Sequence, residues 1–358
     1  MSKGIIPAIS VYVGLADYNE SDNTKYLEKA ASLGIRDVFT SFHMPEAINS
    51  THNGMTFGDA FARLTEVIKR LGMRLIVDLS KKAYESFQNS DIDKVFRLDY
   101  GFTKEEIVTL SHGKYLIELN ASTIKKSYLE ELVEMGLNTK NVRMSYNFYP
   151  KKYTALSYQE MINRNKWFDE YGLTKMAYIS SIAMKRPPIY DGVPSIEETR
   201  EMPVKYAVEL LYMAGIDEVG IGDAYASFEE LQALTSFNSE LIKLPILLND
   251  EVSSEEKDLL FSVHNSRTDQ GEFMIRSSKK SKNPILPSNT KRIEPYDVCI
   301  DNELYKRYCG EISIALKKME NEGKVNVVGQ IPQYGRMLVD NLKPGTTFEF
   351  INEGFLKN

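Results

Sequence analysis

The chain predicts a (β/α)8 barrel followed by a small, mostly β domain, on three observations. Short apolar stretches recur eight times before about residue 243: around 6–13, 36–41, 73–79, 95–99, 115–120, 142–148, 175–180 and 217–223. The amphipathic stretches between them end at glycine, in Leu33-Gly34, Leu71-Gly72, Met135-Gly136, Tyr171-Gly172 and Ala214-Gly215, and glycine after a helix takes the left-handed stop conformation without steric cost. After the strand tips, Thr103-x-x-Glu106, Ser157-x-x-Glu160, Ser195-x-x-Glu198 and Ser227-x-x-Glu230 have the form of a capping box, which satisfies free amides at a helix start. Eight strand–helix units fit a closed barrel better than an open doubly wound sheet. No Gly-x-Gly-x-x-Gly follows any strand, which removes the usual dinucleotide fingerprint.

Taken in order, the helices show apolar stripes such as Phe61, Leu64, Ile68 and Leu71, or Val204, Ala207, Val208 and Leu211. Three neighbouring strands carry polar residues on one face, since alternate side chains share a face. They are Arg97 with Asp99, Glu118 with Asn120, and Arg143 with Ser145 and Asn147. A buried charge needs a partner, and Arg97, Glu118 and Arg143 can supply one another's. Such a layer is either an internal salt-bridge core or the floor of an enclosed polar site. For the tip residues Asp99, Asn120 and Asn147 we favour function. The connection Ser181–Pro194, containing Lys185-Arg-Pro-Pro-Ile-Tyr190, is long for a βα loop; it is a lid candidate or a solvated surface loop.

Past Leu244 the texture changes to short strands and turns: 259–264, 272–277, 311–316, 326–331 and 347–351, with 279–291 as a loop. We therefore place a barrel domain at 1–244 and a small β barrel-like domain at 245–358.

With 358 residues, two domains are expected. A net charge of −6 and no basic stripe argue against nucleic acid as the main partner, and no apolar run reaches membrane-spanning length. Two cysteines make no disulfide framework, and Met1-Ser-Lys-Gly4 runs into Ile5-Ile6 without a charged-then-apolar leader, so we expect a cytoplasmic protein.

In such a barrel the chemistry sits at the C-terminal ends of the strands. Those tips offer His43 and Glu46, Asp78, Asp99, Glu118 with Asn120, Asn147 with Tyr149, and Asp223. Carboxylates, carboxamides and aromatics together suit a polyhydroxylated ligand. Four histidines without metal-ligand spacing, no inward lysine at a strand tip and no Gly-x-Ser-x-Gly elbow leave paired carboxylates, the usual means of cleaving glycosidic bonds. We expect no metal and no cofactor. Asp99 and Asp223 are the carboxylates we place nearest the chemistry, with Glu46 and Glu118 in reserve. Asn120, Asn147 and Tyr149 would position the sugar. In the second domain Arg267, Asp269 and Arg276 cluster: either the two arginines with hydroxyls such as Ser277 bind a phosphate of the substrate, or the arginines pair with Asp269 on the surface.

At these residues the sequence resembles the bacterial 6-phospho-N-acetylmuramidases. The matching segments are Ile9-Ser-Val-Tyr12, Phe39-Thr-Ser41 with Pro45-Glu46, Arg97-Leu-Asp99, Leu119-Asn-Ala-Ser122, Asn147-Phe-Tyr-Pro150 and Gly222-Asp223, then Arg267-Thr-Asp269, Arg276-Ser277 and Gly310-Glu311-Ile312. Phe42-His-Met44 departs from the expected pattern, which has aliphatic residues before Pro-Glu, and the charged Glu118 stands where an apolar residue is expected. The resemblance implies a TIM barrel followed by a cyclophilin-like domain. It also implies cleavage of a phosphorylated amino-sugar disaccharide, N-acetylmuramic acid 6-phosphate–N-acetylglucosamine, in cell-wall recycling. The alternatives are a non-catalytic sugar-phosphate binding protein, or a phosphosugar lyase or isomerase. Because a mouth lined by Asp99, Asp223, Glu46 and Glu118 repels a phosphate, we expect the β domain to lend Arg267 or Arg276, with Ser277, to the 6-phosphate; failing that, the Lys185-Arg186 loop takes the role.

Overall fold

A computed structural model describes residues 4–13, 20–41, 56–81, 84 and 91–356. Two compact units divide between Phe237 and Asn238. The first is a closed ring of eight parallel strands in sequence order. They are β1 (Ile6–Ser10), β2 (Asp37–Ser41), β3 (Arg74–Leu79), β4 (Lys94–Leu98), β5 (Ile117–Asn120), β6 (Val142–Ser145), β7 (Thr174–Ile179) and β8 (Glu218–Ile221). The expected (β/α)8 architecture is present. Among the described residues no helix is long and apolar enough to cross a membrane.

The helices form for the reasons their sequences state. In Phe57–Arg70 the residues Phe61, Leu64 and Ile68 are buried, Thr56 accepts from the Asp59 amide at its start, and Gly72 behind it has φ +62°. A β-carbon on Gly72 would touch nothing within 4 Å, so its backbone angle, and not space, requires glycine there. Thr103/Glu106 and Ser227/Glu230 form complete capping boxes. Ser157 caps its helix through the Glu160 amide, but Glu160 turns to Arg164. Ser195 caps nothing. Its hydroxyl accepts from the Tyr178 amide at 2.9 Å, and the chain behind it makes a single 3-10 turn, Glu197–Thr199.

The second unit is one seven-stranded sheet. Its strands are β9 (Ile242–Leu248), β10 (His264–Asn265), β11 (Met274–Lys280), β12 (Asp297–Asp301), β13 (Glu311–Ala315), β14 (Val325–Gln330) and β15 (Thr347–Phe355), in the order β10-β15-β9-β14-β12-β13-β11. Only β15 and β9 pair in parallel. The sheet curls until its two ends meet: Ser266 bridges Ser277, and the Arg267 amide donates to the Arg276 carbonyl at 2.9 Å. Three expectations are corrected here. The boundary after Leu244 would cut β9, whose Leu244 and Ile246 are fully buried beside Phe350 and Asn352 of β15. Leu259 and Leu260 belong to a helix, Ser254–Leu260, opened by a Ser253/Glu256 capping box. The expected loop 279–291 begins two residues later, because β11 runs to Lys280.

Candidate active site at the barrel mouth

Strands in a closed barrel tilt, so a row of directly paired residues climbs from the base of one strand to the tip of another. One such row runs Ser41–Asp78–Arg97–Glu118–Arg143 across β2 to β6. From Asp78 to Arg143 its charges alternate in sign, so neighbouring strands set opposite charges side by side. At the base, Arg143 is fully buried; its Nε donates to Glu118 Oε1 at 2.9 Å, and its other nitrogens reach Glu218 and Asp37. Burial opposes the Arg143 cation, but the Glu118, Glu218 and Asp37 carboxylates outweigh it, so its pKa is raised. One level up, Arg97 lies 3.6 Å from Glu118 and 3.7 Å from Asp78, and it donates to the Ser145 carbonyl at 3.1 Å and to Asn147 Oδ1 at 2.6 Å.

Above this layer the barrel is closed by aromatic rings. Phe39 meets Phe148 at 5.3 Å and Tyr178 at 5.7 Å, Phe148 meets Tyr178 at 5.1 Å, and Tyr12 meets Phe39 at 6.4 Å, all edge to face. Gly220 on β8 admits this packing, since a β-carbon there would stand 2.8 Å from the Tyr178 ring.

On the β7–β8 side of the mouth lies Asp223. Its carboxylate accepts the Ser181 amide at 2.8 Å and the Arg186 amide at 2.6 Å, so it organises the root of the 181–194 connection. The carboxyl is fully buried and pushed up to about 6, by desolvation first, against the pull of the Arg186 and Ser181 amides and the Arg186 charge. Beside it the Tyr12 hydroxyl donates to the Gly222 carbonyl at 2.8 Å. The Arg186 guanidinium lies 4.7 Å from the Tyr12 ring centre and 5.5 Å from that of Phe148.

The expected site residues therefore divide. Glu118 belongs to the buried ion-pair layer, with no exposed surface. Asn147 joins that layer's upper edge through Arg97. Asp99 is exposed on the opposite rim, where it and Asn120 line a cavity of about 460 Å³ with Tyr100, Lys125 and Tyr128. Asn120 Oδ1 is engaged by the Ser122 amide at 3.0 Å. Tyr149 is half-buried, its amide on the Pro194 carbonyl at 2.9 Å. Glu46 and His43 lie outside the described residues.

In the second unit, Arg267 grips Asp269 with two bonds of 2.8 and 2.9 Å, and Arg276 reaches the same carboxylate at 3.2 Å. The Arg267 hydrogen bond is the first cause holding Asp269 down at about 2. Ser277 does not join them. It is buried against His264 Nδ1 at 3.0 Å, because residues 276 and 277 of one strand point to opposite faces. Alternation alone excludes Ser277 from a shared phosphate grip with Arg276. Sequence reasoning missed Tyr12, Phe148 and Tyr178 as mouth residues; the alternation Ala8, Ser10, Tyr12 on β1 and its continuation is the signal that would have found the first. Among the described residues no group of three His, Cys, Asp or Glu could hold a metal ion.

Residues 8–236 match the family model described as "6-phospho-N-acetylmuramidase, N-terminal", and residues 242–351 match the C-terminal model of the same description. Two solved structures are similar over their whole length. An uncharacterized protein of B. cereus shares 28% identity, with 96% of this chain and 99% of that one covered and a TM-score of 0.80. A conserved Enterococcus faecalis protein with an unknown function shares 27% identity, with 97% and 96% covered and a TM-score of 0.73. No curated protein matches the chain.

Proposed function

The chain belongs to the 6-phospho-N-acetylmuramidase family, whose two models match it in order and almost end to end, and from that premise we propose that it hydrolyses N-acetylmuramic acid 6-phosphate–N-acetylglucosamine in cytoplasmic cell-wall recycling. The family is named for a glycosidase acting on a phosphorylated sugar. The two-model match carries the reading, and a curled seven-stranded sheet is compatible with a cyclophilin-like second unit. Within the mouth, Asp223 is the proton donor of this proposal: a carboxyl raised to about 6 titrates nearer working pH than an ordinary Asp, as suits a general acid. Asp99, open to solvent on the opposite rim, is the carboxylate that would act on the anomeric centre or its water. Asn120, Asn147 and Tyr149 would hold sugar hydroxyls and the acetamido group.

The test is release of N-acetylglucosamine from the phosphorylated disaccharide by pure protein. Asp223→Asn and Asp99→Asn should each lower kcat by roughly 10²–10⁴-fold. One observation favours a second reading, a sugar-phosphate binding protein: both Asp223 oxygens are occupied by backbone amides. Saturable binding of the disaccharide with no release would select that reading and remove the first.

A further inference from the structure

Among the described residues of the barrel unit four arginines are buried: Arg97, Arg143, Arg186 and Arg200. Three of them face carboxylates, Arg97 at Asp78 and Glu118, Arg143 at Glu118, Glu218 and Asp37, and Arg200 at Glu197. Arg186 differs. It is 9% exposed, its Nε has no hydrogen-bond partner, and among the described residues no carboxylate lies within 4.0 Å of its guanidinium. Asp223 acts on it only at longer range, since the Asp223 oxygens already hold the Ser181 and Arg186 amides.

Aromatic rings position the guanidinium: those of Tyr12 and Phe148 lie 4.7 and 5.5 Å from it. Cation–π contact and a side-chain hydrogen bond to the Tyr12 hydroxyl orient the fork, but its Nε stays without a partner. A buried cation with no carboxylate in contact among the described residues is unfavourable by the general rule for buried charges, and a ligand anion would complete the pair. Position agrees with that. Arg186 sits on the connection behind β7, at the end of the barrel where βα loops build active sites, and its backbone is pinned by Asp223 at 2.6 Å.

We propose that Arg186 receives an anionic oxyacid group of the sugar substrate in the barrel mouth. This rests on the glycosidase reading for the identity of the sugar. A muramic acid 6-phosphate offers two such groups, the phosphate monoester and the lactyl carboxylate, and either matches a guanidinium fork. Tyr12 and Phe148 then serve as positioning residues that hold the fork open before the ligand arrives.

Calorimetric titration separates the sources. The probes are N-acetylmuramic acid 6-phosphate, N-acetylglucosamine 6-phosphate (phosphate alone), N-acetylmuramic acid (carboxylate alone) and N-acetylglucosamine (neither). Arg186→Met retains an apolar stem over the rings and removes the charge; Arg186→Lys retains the charge and removes the fork, and it stands in if the Met variant does not fold. The Met variant should lose about a hundredfold in affinity for the doubly anionic sugar, with the Lys variant between. The loss should persist with whichever singly anionic sugar carries the recognised group and vanish with the other. A loss under roughly threefold, or an equal loss against neutral N-acetylglucosamine, overturns the inference. Parallel turnover assays separate the two claims. If the wild type cleaves the disaccharide and the variants bind and cleave it equally well, the glycosidase reading stands and the role of Arg186 falls. If the wild type neither cleaves nor binds any of these sugars, both fall.

Discussion

Burial lifts the Asp223 carboxyl to about 6 although two backbone amides and the Arg186 charge pull it down, so at this residue desolvation wins. Its folded value lies above that of an unfolded Asp, about 3.9. Between roughly pH 4 and 6 the folded chain therefore keeps a proton that the unfolded chain has released, and stability falls as pH rises through that window. The gap of about two pKa units limits this term to roughly 3 kcal/mol. A carbon-13 titration of the Asp223 carboxyl should show a midpoint near 6; a midpoint near 4 would end its candidacy as proton donor. Asp269 has the opposite sign. Held down at about 2 by Arg267, it adds stability above the unfolded value that is lost as pH falls through about 2. The same local rule explains how much of the site was legible in the sequence. Alternation along a strand told in advance that Arg97, Glu118 and Arg143 face inward, and it equally separates Ser277 from Arg276. A loop residue such as Arg186 has no period, so its burial could not be read from spacing.

At the scale of elements, the connection 181–194 is neither a free lid nor a plain solvated loop. Asp223 holds its root, and the Glu230 carboxylate accepts from the Ser181 hydroxyl at 2.8 Å and the Ile182 amide at 2.7 Å while closing the capping box of the helix Phe228–Thr235. Its outer part leaves Met184 and Tyr190 exposed, yet Arg186 is turned inward. A β-carbon on Gly222 would stand 2.6 Å from the Val193 carbonyl oxygen, so the returning chain depends on glycine at the tip of β8. The Ser227-x-x-Glu230 spacing announced the helix start, but the second use of Glu230 is tertiary and has no sequence signature. Glu106 offers a control, because it closes an equivalent box without touching this connection. Glu106→Ala should cost about 1 kcal/mol, the loss of a capping-box partner and of a half-exposed ion pair with Lys81. Glu230→Ala should cost more, on the order of 1–3 kcal/mol, because the buried Ser181 hydroxyl loses its acceptor as well. Hydrogen exchange at residues 181–186 should accelerate in the Glu230 variant alone. Equal exchange in the two variants would show that Glu230 does not latch the connection.

Over the whole molecule the eight-fold cadence was readable because each barrel unit is local: a strand, a helix and a glycine stop lie within a few tens of residues. The second unit hid more of itself, since its interior strand β9 pairs with β15 about a hundred residues away. That long-range pairing is why the domain boundary fell at Leu244 in the sequence and lies between Phe237 and Asn238 in the fold. The difference has a consequence for dissection. A cut after Leu244 leaves Ile242 and Leu244, 3% and 0% exposed in the intact chain, on the wrong fragment. It also opens the β15 edge, whose unpaired backbone invites association. A cut after Phe237 keeps β9 whole, and it leaves Tyr12, Phe148, Arg186 and Asp223 together in the first fragment. We predict that 1–237 and 238–358 are each soluble, with native-like circular dichroism, and that 245–358 aggregates. The 1–237 fragment should also bind N-acetylmuramic acid 6-phosphate in a way that Arg186→Met abolishes. A folded, monomeric 245–358 would contradict the central place of β9. A folded 1–237 that binds no anionic sugar, beside an intact chain that does, would move the anion site to residues beyond the barrel and return Arg267 and Arg276 to consideration.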